Sequence, residues 1–70
     1  MYNTEFLRAL RYSKGLNKKD MGALIGFSKS NYQKLEDGEY KQIPIKALAI
    51  LKEEFKLDAQ EVLELMGLNK

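Results

Sequence analysis

The sequence predicts an all-α domain built from five short helices. Apolar residues recur at spacings of three and four along the chain, and no stretch alternates apolar and polar residues as a strand would. Good N-cap residues precede four of the apolar stripes. A chain of 70 residues has the size of one domain, so we expect a single unit over 1–70 with a small core.

The first helix and the start of the second are predicted from their caps. Helix one covers about 4–13 and is capped by Asn3 or Thr4. Asn17 is the expected N-cap of helix two, where Leu16 and Met21 can form a hydrophobic staple. The two helices are therefore separated by a short connection.

The second helix contains one glycine and is closed by another. Gly22 in a helix interior costs about 1 kcal/mol relative to alanine, so a close helix–helix contact is the expected reason for it. Gly26 is expected to end the helix. Ser28 then caps helix three, where Phe27 and Tyr32 make a second staple.

Helix three is predicted to present a polar face. Tyr32 and Leu35 point inward at helical spacing. The opposite side carries mainly polar and basic side chains: Lys29, Ser30, Gln33, Lys34 and Asp37. Two short helices joined by a tight turn, the second with such a face, are typical of a helix-turn-helix, which places its second helix in the major groove of DNA.

The last two helices are expected to complete the core. Pro44 suits the first position of helix four, which is apolar on two sides and is predicted to be the central packing element. Asp58 starts helix five, whose inward stripe is expected at Ala59, Val62, Leu63 and Met66. Two leucines fall off that stripe, and either cover the small core or form a dimer interface: Leu65 and Leu68.

The composition excludes several classes of function. The chain has no cysteine and no histidine, which rules out disulfides, the common zinc sites and catalysis by thiol–imidazole or serine–histidine groups. We expect no enzyme activity, no cofactor and no metal. The longest purely apolar run, 47–51, is far below the roughly 20 residues that cross a membrane. The N-terminus is too polar for a signal peptide, so a cytoplasmic protein is expected.

Charge is distributed unevenly, although the net charge is only +2. The segment 8–34 contains seven bases and one acid, whereas 35–70 contains five bases and eight acids. A basic first half indicates a face that suits a polyanion such as nucleic acid. Charged side chains that only keep helix surfaces solvated would give the same distribution of charge. Both interpretations, a nucleic-acid-binding face and ordinary exposed helix surfaces, stay open.

Taken together, these landmarks resemble the phage repressor and Cro-type family of helix-turn-helix DNA-binding domains. The matching segments are LRALR, KGLNKKDMGALIGFS and KLEDG, and Pro44 with the two later helices also fits. The resemblance covers nearly the whole chain. It implies a compact five-helix repressor-like domain that regulates transcription by occupying an operator. It also implies that the protein is a homodimer, at least when it is bound to double-stranded DNA.

The resemblance also implies roles for individual residues. Gly22 matches a small residue that lets helices two and three approach, and Gly26 matches the turn glycine. Arg11 and Glu36 match a pair that bridges helix one to the end of helix three. The base-reading positions of the family match Lys29, Ser30, Gln33 and Lys34.

Four lysines are candidates for contacts with DNA phosphates. Lys18 matches a position at the start of helix two that touches the phosphate backbone in the family, although relatives usually have glutamine there. The charge pattern adds three further candidates, Lys14, Lys19 and Lys41.

Two acids depart from the family pattern and favour an alternative. Asp37 and Glu39 stand where relatives more often have asparagine, arginine or lysine, and acids near a duplex repel phosphate. The alternative is a protein-binding modulator on the same fold, such as an antirepressor, a cofactor of another repressor or an antitoxin that binds a toxin.

Overall fold

The computed structural model describes residues 1–68, in which five α-helices and no strands are present. This confirms the predicted all-α class. The helices are α1 (Thr4–Ser13), α2 (Lys18–Leu24), α3 (Lys29–Glu36), α4 (Ile45–Glu54) and α5 (Ala59–Leu65).

Side-chain caps start four of these helices. Asn3, Asn17, Ser28 and Asp58 each accept a hydrogen bond from the backbone N–H three residues later, over 2.8 to 3.1 Å. Each cap satisfies one of the N–H groups that the first turn of a helix leaves without an intrahelical partner. At α5 the cap is reciprocal, because Glu61 also accepts from the backbone N–H of Asp58.

The core lies between α1 and the helices around it. α1 contacts both α3 and α5, and α2 packs most closely on α3. Six large side chains in this core are fully buried: Leu7, Met21, Tyr32, Leu35, Leu51 and Leu65. The central packing elements are therefore α1 and α3, each of which contacts two other helices.

The prediction that α4 occupies that central place is wrong. α4 begins at Ile45, one residue after Pro44, which serves as its N-cap. Its buried residues are Ala47 and Leu51, while Ile45 is 76% exposed. The apolar side chains of α4 cover more than one face, and burying one face in the core leaves the others at the surface.

The orientation of α5 also differs from the prediction. Leu65 is fully buried, whereas Leu63, expected in the inward stripe, is 42% exposed. Leu65 joins the core cluster in this orientation, and its carbonyl accepts a hydrogen bond from the backbone N–H of Asn3 over 2.8 Å. Leu65 therefore belongs to the core and is not available as an interface residue, while Leu68 is 63% exposed.

Gly22 lies where α2 and the start of α3 are in closest contact. A Cβ atom at this position would lie 3.0 Å from the carbonyl oxygen of Phe27 and 3.1 Å from the Cβ of Tyr32. Both distances are shorter than ordinary van der Waals contact. The absence of a side chain at Gly22 therefore sets how closely the two helices approach.

Replacing Gly22 with alanine is expected to destabilise the fold, although alanine favours helices. Relief of the backbone clash requires a shift that costs roughly 1–3 kcal/mol, which exceeds the gain in helix propensity of about 1 kcal/mol. Thermal unfolding of Gly22→Ala should give a lower melting temperature. Ala23→Gly, at the adjacent exposed position, measures the propensity effect alone. A higher melting temperature for Gly22→Ala would contradict the close approach.

Candidate nucleic-acid interface

The turn between α2 and α3 is fixed by backbone geometry. Gly26 has a φ of +78°, in the left-handed region that favours glycine. One residue later, the backbone N–H of Phe27 donates to the carbonyl of Gly22 over 2.7 Å. This hydrogen bond ties the entry of α3 to the interior of α2, so the two helices form one rigid unit.

A buried ion pair attaches this unit to α1. Arg11 donates from Nε to Oε2 of Glu36 over 2.8 Å and from Nη2 to Oε1 over 3.0 Å. The hydroxyl of Tyr32 donates to Oε2 over 2.6 Å, and Arg11 Nη1 donates to the carbonyl of Leu16 over 3.1 Å. Within residues 1–68, no buried side-chain nitrogen or oxygen atom lacks a partner. The pair that the family resemblance implies is therefore present as a satisfied network.

The protonation equilibria of this network reflect its burial and its hydrogen bonds. Burial alone would raise the pKa of Glu36, but hydrogen bonds from Arg11 and Tyr32 outweigh it and hold the pKa below its ordinary value. Burial, together with the bond to Glu36, raises the pKa of Tyr32. The carboxylate and the guanidinium are therefore both charged near neutral pH.

The outer face of α3 exposes three of the four side chains predicted to read bases. Lys29, Ser30 and Lys34 are exposed, and Gln33 between them is partly buried. α3 also ends at Glu36, the residue bound by Arg11. The exposed face of this helix is consequently presented at a fixed angle to the rest of the domain.

Gln33 lies at the centre of a polar network along this face. Lys18 Nζ, at the start of α2, donates to Oε1 of Gln33 over 2.7 Å. Gln33 Nε2 donates to both carboxylate oxygens of Asp37, each at 3.0 Å. We refer to these three residues as the Lys18–Gln33–Asp37 network. It connects the first residue of α2 with the C-cap of α3.

Sequence analysis alone did not find this network. Gln33 and Asp37 are four residues apart along α3, a spacing at which side chains meet. The contact between these two residues can therefore be predicted from the sequence. The contact of Lys18 with Gln33 depends on the distance between two helices, which the spacing along the chain does not give. The sequence predicts that Lys18 contacts a DNA phosphate. Its ammonium has N–H donors beyond the one that binds Gln33, so the two contacts are compatible.

The other predicted phosphate contacts are not all brought to this network. Lys19 follows Lys18 on α2 and is exposed. Lys14 instead lies 5.1 Å from the centre of the Phe55 ring. Lys41 lines a separate apolar pocket between the N-terminus and α4. The structure therefore brings Lys18 into contact with α3, and places Lys14 and Lys41 beside other parts of the surface.

That pocket brings several exposed apolar side chains together. Its volume is about 160 Å³, and its rim includes Met1, Ile45 and Leu68, which are 81%, 76% and 63% exposed. Sequence analysis had singled out Leu68 but not Ile45, because the surplus apolar residues of α4 were expected to be buried. The pocket is a candidate contact surface for another protein chain.

Comparisons with protein-family models, with curated proteins and with solved structures found no match for this chain. None of the helices in residues 1–68 combines the length and the apolar content needed to span a membrane. What the chain does must therefore be argued from the geometry and charge of its own residues.

Arg11→Met is expected to lower the free energy of unfolding by about 3 kcal/mol, because it leaves the buried carboxylate of Glu36 without its main counter-charge. Chemical denaturation at neutral pH measures the loss. Arg8→Met is the matched control, since Arg8 Nε lies 3.4 Å from Glu36 and its side chain is 40% exposed. The control should cost no more than about 1 kcal/mol. Equal, small losses in the two variants would contradict a dominant role for Arg11.

The depressed pKa of Glu36 also predicts how stability depends on pH. A carboxyl with a lower pKa in the folded state contributes stability that is present above its ordinary value of 4.5 and lost as pH falls through the folded pKa. Glu36→Gln removes this titration. The difference in unfolding free energy between the unmutated protein and Glu36→Gln should therefore narrow below pH 4.5, as measured by urea denaturation across an acidic series. Glu53→Gln, at an exposed position of α4, is the control, and a constant difference for Glu36→Gln would contradict the prediction.

Proposed function

We propose that this chain is a sequence-specific DNA-binding transcriptional regulator, a small phage- or plasmid-type repressor of the Cro kind. The observation that supports this most is the α2–α3 unit, which presents Lys29, Ser30 and Lys34 around Gln33 on a rigidly held helix. α3 has eight residues and is thus about 12 Å long. A helix with its side chains is about 10–12 Å across, which fits the major groove of about 12 Å, and the outer face of α3 is polar and basic.

The side chains of this face match the chemistry of base edges. Lys29 or Lys34 can donate to O6 and N7 of guanine, and the amide of Gln33 can pair with N6 and N7 of adenine. Ser30 can contact a base or a phosphate. Lys18 and Lys19 at the start of α2 are the best-placed lysines to neutralise backbone phosphates beside α3, while Lys14 and Lys41 could reach phosphates only from other parts of the surface.

The proposed mechanism is operator occupancy, with no catalytic step and no cofactor. A helix of this length reaches only a few base pairs, so specific binding requires two domains on half-sites about one helical turn apart. We therefore propose a homodimer on DNA. Leu68, with Ile45 and Met1 beside it at the rim of the apolar pocket, offers the apolar surface for that contact.

The same pocket supports a second candidate function. Exposed apolar side chains around a concave site are typical of surfaces that bind another protein. The chain would then be a modulator that binds a partner repressor or a toxin. Glu39, an exposed acid just beyond α3, fits this role better than it fits a phosphate-facing surface.

A gel-shift titration at two salt concentrations tests the first proposal. The unmutated chain should form a specific complex with a fragment of genomic or upstream DNA. If about five phosphates are neutralised, the logarithm of the binding constant should fall with the logarithm of the salt concentration at a slope near −4.5. Gln33→Ala and Lys34→Ala should each weaken the complex by about tenfold. Lys52→Ala, on the exposed side of α4, is the control for loss of a positive charge elsewhere.

Two outcomes would overturn this proposal. One is the absence of any specific complex at low salt. The other is a complex that Gln33→Ala, Lys34→Ala and Lys52→Ala weaken equally, because base readout by α3 would then play no part.

A further inference from the structure

We propose that Asp37 is a positioning residue for base recognition, which holds the amide of Gln33 in one orientation and thereby makes it selective for adenine. The inference rests on the proposed function, since the amide has a base to read only if α3 enters the major groove. Within that function it assigns a role to an acid whose charge alone would oppose DNA binding.

The orientation of the Gln33 amide follows from its two partners. The ammonium of Lys18 can only donate a hydrogen bond, so the group 2.7 Å from it must be the amide oxygen. The ionised carboxylate of Asp37 can only accept, so the group at 3.0 Å must be the amide nitrogen. A rotation that exchanged the oxygen and the nitrogen would lose the hydrogen bonds at both ends of the network.

The network leaves part of the Gln33 amide unused. Both Asp37 oxygens lie at the same distance from Nε2, and the two hydrogens of an amide nitrogen diverge too widely for both to point at one carboxylate. One N–H is therefore shared between the carboxylate oxygens and the other has no partner in the network. Oε1, bonded to Lys18, likewise retains a second lone pair. One donor and one acceptor remain, and adenine offers the complementary pair at N7 and N6.

Loss of Asp37 would change which bases the amide accepts. Without Asp37 the amide is held by Lys18 alone, so a rotation that turns an N–H toward O6 of guanine or O4 of thymine breaks one hydrogen bond instead of the bonds at both ends of the network. A rotating amide can satisfy several bases, whereas a fixed one satisfies adenine. Asp37 therefore acts on selectivity through Gln33, and need not touch the base itself.

The position of Asp37 makes a purely structural role a poor explanation. It is the C-cap residue of α3 and is exposed, and a negative charge at the C-terminal end of a helix opposes the helix dipole. A carboxylate there also repels DNA phosphates. A hydrogen bond between glutamine and aspartate at this spacing stabilises a helix by only about 0.2–0.5 kcal/mol, so its larger consequence is the orientation of the Gln33 amide.

The test starts with selection of bound sites from a random duplex library by the unmutated chain. The motif position read by Gln33 is the one whose base preference Gln33→Ala abolishes. Affinities are then measured for the selected site with adenine or guanine at that position. Three variants are compared with the unmutated chain: Asp37→Ala, Asp37→Asn and Glu39→Ala. Circular dichroism establishes that each is folded.

The inference predicts a changed base preference in Asp37→Ala and an unchanged one in the other two variants. Asp37→Ala should reduce the adenine-over-guanine affinity ratio by about tenfold while raising overall affinity at low salt by about threefold. Asp37→Asn should raise affinity equally but keep the ratio, because its side-chain oxygen still accepts from Gln33 without the charge. Glu39→Ala, which removes a nearby exposed acid outside the network, should raise affinity and keep the ratio.

The outcomes separate this inference from the function on which it rests. If the unmutated chain selects a motif and Asp37→Ala keeps its adenine-over-guanine ratio, Asp37 does not position Gln33 and the inference alone fails. A reduced ratio in Asp37→Asn equal to that in Asp37→Ala would assign the effect to charge and would also overturn it. Failure of the unmutated chain to enrich any motif would overturn the proposed function and the inference with it.

Discussion

The placement of α3 depends on one buried ion pair, between Arg11 in the last turn of α1 and Glu36 at the end of α3. Removing two charges from water is unfavourable unless their hydrogen-bonding groups are satisfied, and here Tyr32 and the carbonyl of Leu16 complete the network. The geometry of a bidentate arginine–carboxylate contact tolerates little displacement. The pair therefore fixes the angle at which the outer face of α3 meets solvent.

Two further contacts hold the same helix from other sides. At its start, Gly22 lets α2 approach until the carbonyl oxygen of Phe27 lies 3.0 Å from where a Cβ atom would be. At its end, the hydroxyl of Tyr2 donates to the carbonyl of Leu35. α3 is thus fixed at both ends by groups that face inward. Its outward side chains are therefore not needed to hold the helix in place. A surface that binds by pre-organised groups loses less conformational entropy when it meets its partner.

The parts of this structure that could be predicted from sequence are those decided locally. A cap such as Asn17 or Ser28 needs only the next three residues, so the helix starts were recoverable, and the polar face of α3 followed from its period. The sequence leaves open whether Leu65 covers the core or forms an interface, because the side of α5 that faces the core depends on residues far away in the chain, such as Asn3, which bonds to the Leu65 carbonyl. The Lys18 contact with Gln33 was missed for the same reason.

The two acids that opposed a DNA-binding reading have different surroundings. Asp37 is hydrogen-bonded to Gln33, which is bonded in turn to Lys18, so a positive and a negative charge stand at the two ends of a neutral amide. The network has no net charge. The positive charge on the outer face of α3 itself comes from Lys29 and Lys34. Glu39 lies beyond the helix and outside the network. Of the two acids, Asp37 is therefore the one whose charge is balanced within this network.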